Sequence, residues 1–118
     1  MGAAIDWKLC LELVNNKEDV ARELLEMFVS ELPETNNKLH EAYSNKNLAD
    51  LEDIVHKLHG GSCYCGVPQL KTAAAELEKF LKTKWPEANS PDLAKRYTQL
   101  VAEINHVMES YEQEFAQL

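Results

Sequence analysis

The 118-residue sequence predicts an all-α fold, an antiparallel four-helix bundle with an additional short N-terminal helix. Three observations carry this. Apolar residues recur at spacings of three and four almost throughout, which is the period of a helix with one buried face. Strand-like alternation is absent and β-branched residues are sparse. Four long amphipathic segments are joined by short connections, and short connections make successive helices antiparallel neighbours.

Each element has its own signals. Asp6 can cap a short helix carrying Trp7, Leu9, Cys10 and Leu13, which ends near the Asn15-Asn16 pair. A second helix begins near Lys17, with Glu18 and Asp19 well placed in its first turn, and its stripe runs Val20, Leu24, Met27, Phe28, Leu32, Leu39 and Tyr43. Pro33 removes an amide donor there, so the helix is expected to kink or break around residues 31–35, and a kink keeps the stripe in phase. Asn47 caps a third helix with the stripe Leu48, Leu51, Val55, Leu58, Ser62 and Cys65, which Gly66 is placed to stop. Pro68 opens a fourth, through Leu70, Ala73, Ala74, Leu77, Phe80 and Leu81. Trp85-Pro86 through Ser90-Pro91 reads as a linker whose end, Ser90 as cap and Pro91 as first helical residue, starts the last helix. That helix carries Leu93, Tyr97, Leu100, Ile104, Val107, Tyr111 and Phe115.

Size allows one domain with one core. Residues 1–4, MGAA, read as linker or appended residues and 5–118 as the domain. The formal net charge of -8 and the scattered basic residues exclude a phosphate-neutralising surface, so nucleic acid is not an expected partner. No apolar run approaches the roughly 20 residues of a membrane span, and no membrane contact is expected. Cys10, Cys63 and Cys65 form no disulfide framework, which favours reduced thiols and a cytoplasmic location.

The stretch HKLHGGSCYCG, residues 56–66, carries the chemistry. At about 100° per residue His56 lies roughly 150° from the centre of the third helix's apolar stripe, so it faces water. Gly60 is one turn later on the same face, while His59 and Cys63 lie nearer the core boundary. A mid-helix glycine costs roughly 0.8–1 kcal/mol relative to Ala. Gly61, near the core stripe, can admit close helix packing; Gly60 can only give another protein close access to the imidazole. An exposed neutral imidazole is a nucleophile, and this chain has no phosphate-binding loop and no aspartate cluster for Mg²⁺. Any phosphoryl transfer must therefore borrow its apparatus from a partner. Glu52 and Asp53 precede His56 by four and three residues, where their charge favours imidazolium, and Lys57 flanks the same face.

His56-Lys57-Leu58-His59-Gly60-Gly61-Ser62, followed by Gly66-Val67-Pro68, resembles the histidine phosphotransfer (HPt) family, in particular the C-terminal domains of hybrid sensor histidine kinases. The family motif is H-x-L-K/H-G followed by small residues and a later Gly, and the similarity runs from about Ile5 to the last helix. The resemblance implies that His56 is the phosphoacceptor, taking a phosphoryl group from a receiver-domain aspartyl phosphate and passing it to a response-regulator receiver. His59 stands where many members have a Lys that neutralises the phosphoryl group. Some members have a Gln on the next helix that bonds the active imidazole, and counting along places Glu78 there. A carboxylate could accept from Nδ1–H and leave Nε2 free to attack, as in other oriented catalytic histidines. Gly60, Lys57 and Cys63 are expected on the receiver-docking face, with Met27 and Phe28 at its edge. The implied partners are receiver domains and a parent hybrid kinase. No cofactor is expected in this domain, Mg²⁺ belongs to the receiver, and the domain is a monomeric carrier without catalysis of its own. An isolated domain and the tail of a kinase anchored in the inner membrane remain alternatives.

Two other readings compete. His56, His59 and Cys63 at i, i+3 and i+7 could converge on a transition metal, although no fourth ligand is evident. A helical interaction module without phosphoryl chemistry would use the bare patch at Gly60 for docking alone. Redox chemistry at Cys63 and Cys65 is disfavoured because C-x-C on a helix splays the thiols, with Cys65 read as core and Cys63 as half-exposed. His40 and His106 read as surface residues.

Overall fold

The computed structural model describes residues 3–83 and 90–115. They form five helices and no strand: α1 (Trp7–Glu12), α2 (Glu18–Ser44), α3 (Leu48–Ser62), α4 (Pro68–Thr83) and α5 (Pro91–Glu114). Most of the expected 85–91 linker, including Trp85-Pro86, lies outside the described residues.

The starts of α1, α3 and α5 follow the capping chemistry, while α2 begins after Lys17 without a side-chain cap bond. The Asp6 carboxylate accepts from the Leu9 amide at 3.1 Å and opens α1. Asn15 and Asn16 then take left-handed φ values of 55° and 62°, a conformation that asparagine tolerates better than most residues, and the chain turns into α2. Asn47 caps α3 by accepting from the Asp50 amide at 3.1 Å, and its side-chain amide also donates to the Asp50 carboxylate at 2.8 Å. Ser90 accepts from the Leu93 amide at 3.4 Å, with Pro91 as the first residue of α5.

α2 runs without a break through Pro33, whose ring is exposed. On that face water can satisfy the carbonyl one turn back that loses its donor. Its buried face is Ala21, Leu25, Phe28, Leu32, Leu39 and Ala42, a correction at the N-terminal end of the predicted stripe. Val20 and Met27 are exposed, Leu24 and Tyr43 are half-buried, and Leu13 beyond α1 is exposed too. Weighing by bulk favours the line through Val20 and Met27, whereas packing selects the line on which Ala21 lets the backbones approach. Tyr43 stacks on Tyr97 of α5, ring centroids 4.0 Å apart.

α3 buries Leu48, Leu51, Val55, Leu58 and Ser62 as its spacing predicts, but it stops at Ser62. Cys63 and Cys65 therefore sit in the following turn rather than on the helix. Gly66 has no left-handed φ, so it is not the helix stop expected of it. It is needed for close approach: its carbonyl accepts from the Asp6 amide at 2.7 Å, and a Cβ there would lie 2.7 Å from Cys10 Sγ and 2.8 Å from the Cys10 nitrogen.

α3 packs on both α2 and α4, α4 on α5, and α5 back on α2, which closes a four-helix ring; α1 lies against α2. Leu51, Val55, Leu70, Leu77, Leu93, Leu100 and Ile104 are fully buried inside it. The 27 residues of α2 rise about 40 Å at 1.5 Å each, which accounts for the 43 Å long axis.

Candidate functional site

α3 carries His56 outward, with 62% of its side chain exposed, and α4 faces it with Glu78, whose side chain is only 9% exposed. The two helices pack directly, so the carboxylate reaches out of the interface toward the imidazole. His56 Nδ1 donates to Glu78 Oε2, and His59 Nδ1 donates to Glu78 Oε1 at 2.8 Å. Lys82, one turn further along α4, donates from Nζ to Oε2 at 2.9 Å. A buried carboxylate with three donors satisfies the demand that a desolvated charge be paired.

Burial pushes the Glu78 carboxyl up, yet the hydrogen bonds from Lys82, His56 and His59 outweigh it and hold the group down at about 2. The hydrogen bond to Glu78 in turn holds the Lys82 ammonium above its ordinary value. Glu78 is thus an anion at neutral pH, and a carboxylate can only accept. It fixes the His56 proton on Nδ1 and leaves Nε2, on the far side of the ring, as the nitrogen with an available lone pair.

Around this centre the surface is bare. A Cβ on Gly60 would meet nothing within 4 Å, so the face beside His56 is open. A Cβ on Gly61 would meet the Phe28 ring at 3.3 Å, so that glycine admits the α2–α3 packing. Lys57 is exposed and pairs with Asp53 at 3.2 Å. The half-buried Cys63 thiol donates to the His59 carbonyl at 3.4 Å, and Ser62 Oγ donates to the same carbonyl at 2.6 Å.

The residues singled out from the sequence thus separate into two groups. His56, His59 and Glu78 meet in one hydrogen-bonded cluster, while Gly60, Lys57 and Cys63 lie around it without joining it. Among the described residues no group of three or more His, Cys, Asp or Glu is placed to hold a metal ion. Both imidazoles turn onto Glu78 and the Cys63 thiol onto backbone, so His56, His59 and Cys63 do not converge. Cys65 is buried, His40 and His106 are exposed, and His106 pairs with Glu103 at 2.8 Å. Sequence reasoning missed Lys82, although its i, i+4 spacing from Glu78 is a legible helix-pair signal.

This architecture has known relatives. A sequence model of the Hpt domain matches residues 23–113. The signal transduction histidine-protein kinase BarA of Escherichia coli (strain K12) is 36% identical over 105 residues, covering 89% of this chain and 11% of BarA. The sensor protein GacS of Pseudomonas syringae pv. syringae is 34% identical over 101 residues, covering 84% of this chain and 11% of GacS. The chain therefore spans about a tenth of the length of these relatives. The crystal structure of the HPT domain from a sensor hybrid histidine kinase of Shewanella superposes with a TM-score of 0.89 at 36% identity, covering 98% of this chain and 96% of that one. The histidine-containing phosphotransfer protein HptB of Pseudomonas aeruginosa PAO1, 23% identical, shares the fold with a TM-score of 0.78 over 100% of this chain and 99% of its own. A histidine presented on a helical bundle, a family match across most of the chain and over a third identity to two kinase-borne domains together make this chain a member of the Hpt domain family.

Proposed function

We propose that the domain relays phosphoryl groups in a two-component phosphorelay, with Nε2 of His56 as the acceptor. The Nε2 lone pair attacks the phosphorus of an aspartyl phosphate on a receiver domain, a P–N bond forms, and the P–O bond to the aspartate breaks to release its carboxylate. The proton stays on Nδ1, so the phosphorylated ring is an imidazolium whose charge Glu78 stabilises through a charge-assisted hydrogen bond. The same proton makes the ring a neutral leaving group when a response-regulator receiver takes the phosphoryl group away. The reading rests above all on one observation, a solvent-facing imidazole whose Nδ1 is held by a buried, ionised carboxylate.

The remaining parts belong to the partner. Mg²⁺ and the cations that position the donor sit on the receiver, and this domain is a carrier that contributes no autonomous catalysis. His59, bonded to Glu78, stands where the family often has a lysine. Docking uses the open face at Gly60 with Lys57 and Cys63 around it, and Met27 and Tyr64, 55% and 68% exposed, supply apolar surface for a modest, releasable interface. In the cell the domain is a cytoplasmic, monomeric module of a hybrid sensor kinase; no described helix is long and apolar enough to cross a membrane.

Intact mass after incubation with phosphoramidate, for wild type and His56→Gln, tests the assignment. The expected result is one added phosphoryl group, lost in mild acid, kept in base and absent from His56→Gln. An adduct that persists in His56→Gln refutes it.

A further inference from the structure

We propose that Lys82 is a positioning residue for phosphoryl transfer, acting on His56 through Glu78. The inference rests on the relay reading above and deepens it. Glu78 has two oxygens and three donors: His59 takes Oε1, and His56 and Lys82 share Oε2. A carboxylate at the end of a three-bond side chain can turn its plane, and two imidazoles from α3 alone would allow it to favour either ring. Lys82 comes from the same helix as Glu78, one turn on, and its ammonium is anchored from the α4 side. It pins Oε2 in the orientation in which the remaining lone pair meets His56 Nδ1.

The local charge makes a second demand for this cation. α3 places Glu52 and Asp53 in the turn before His56, and among the described residues Asp53 pairs with Lys57 at 3.2 Å. Lys82 also feels the Glu52 carboxylate. Without Lys82 the ionised Glu78 would stand behind the imidazole uncompensated, facing an incoming phosphoryl group that is itself anionic. With Lys82 it keeps its acceptor role and presents little net charge outward.

The test uses the whole 118-residue chain as wild type, Lys82→Met and Lys82→Arg, with phosphoramidate as donor. The readouts are the rate of appearance of the phosphorylated mass and the tautomer of neutral His56 from its ring ¹⁵N shifts. Lys82 is half exposed, so both variants should fold, and thermal melts check this. In Lys82→Met the phosphorylation rate should fall roughly two- to fivefold, the range expected for one exposed cation, and the Nδ1–H tautomer should lose its dominance. Lys82→Arg should restore both. A wild-type rate in Lys82→Met, or a slower rate with the tautomer unchanged, overturns the positioning role while leaving the relay reading intact. A wild type that gains no phosphoryl group on His56 overturns both.

Discussion

Glu78 links the stability of the fold to pH as well as serving the site. Its carboxyl titrates at about 2 in the folded chain against an ordinary 4.5. In that window the unfolded chain binds more protons, so the stabilisation is complete above about pH 5 and disappears as the pH falls toward 2. Allowing for screening at the exposed His56 and Lys82, it should be about 2 kcal/mol. Urea unfolding at pH 7 and at pH 3 should show more than half of this loss in wild type and a smaller one in Glu78→Gln. A second outcome concerns the thiols. Burial, with the Cys10 thiol nearby, pushes Cys65 up to about 12, and burial also raises Cys10, so neither offers a thiolate. Iodoacetamide should therefore label native protein once, at Cys63, and three times in urea, as peptide mapping would show. The exposed place of His56 was legible from helical phase alone, whereas the pairing with Glu78 required the family resemblance. Lys82 escaped because an i, i+4 Glu–Lys pair usually reads as an ordinary solvated surface pair.

At the scale of the element, α3 sets function against stability at Gly60. Nothing lies within 4 Å of a Cβ there, so Gly60→Ala should stabilise the chain by roughly 0.5–1 kcal/mol through helix propensity. The same methyl group stands where a receiver must approach, so transfer from a phosphorylated receiver should slow although phosphoramidate labelling does not. Parallel unfolding and transfer assays check both halves. Gly66→Ala should do the reverse and destabilise by about 1–3 kcal/mol, because the neighbours it would meet are the backbone and Sγ of α1, which cannot give way cheaply. The stripe of α3 from Leu48 to Leu58 followed from sequence because Leu48, Leu51, Val55 and Leu58 are bulky and unambiguous. The start of α2 did not, since Val20 and Leu24 compete with Ala21 and Leu25 for the core face and only the neighbouring helices decide between them. The length of α3 was overread for a related reason: Cys65 is buried, but in a turn rather than in helical register.

At the scale of the molecule, α2 to α5 form a ring closed by leucines, and Leu51 and Leu77 occupy it with no exposure. Replacing Leu77 by Ala should cost about 2–5 kcal/mol and lower the melting temperature accordingly in calorimetry. The bundle was legible because helical period, caps and short connections all agree. What the sequence left open was tertiary contact between distant segments, and the hydrogen bond from the Asp6 amide to the Gly66 carbonyl is the clearest case. That bond joins the two ends of the α1–α3 portion of the chain, so it can form only after the α2–α3 hairpin has brought its far turn back. α1 should therefore dock late in folding and open first in the native state. Deuterium uptake would register this as an Asp6 amide that exchanges through local opening, well before the amides in the middle of α3 and α4.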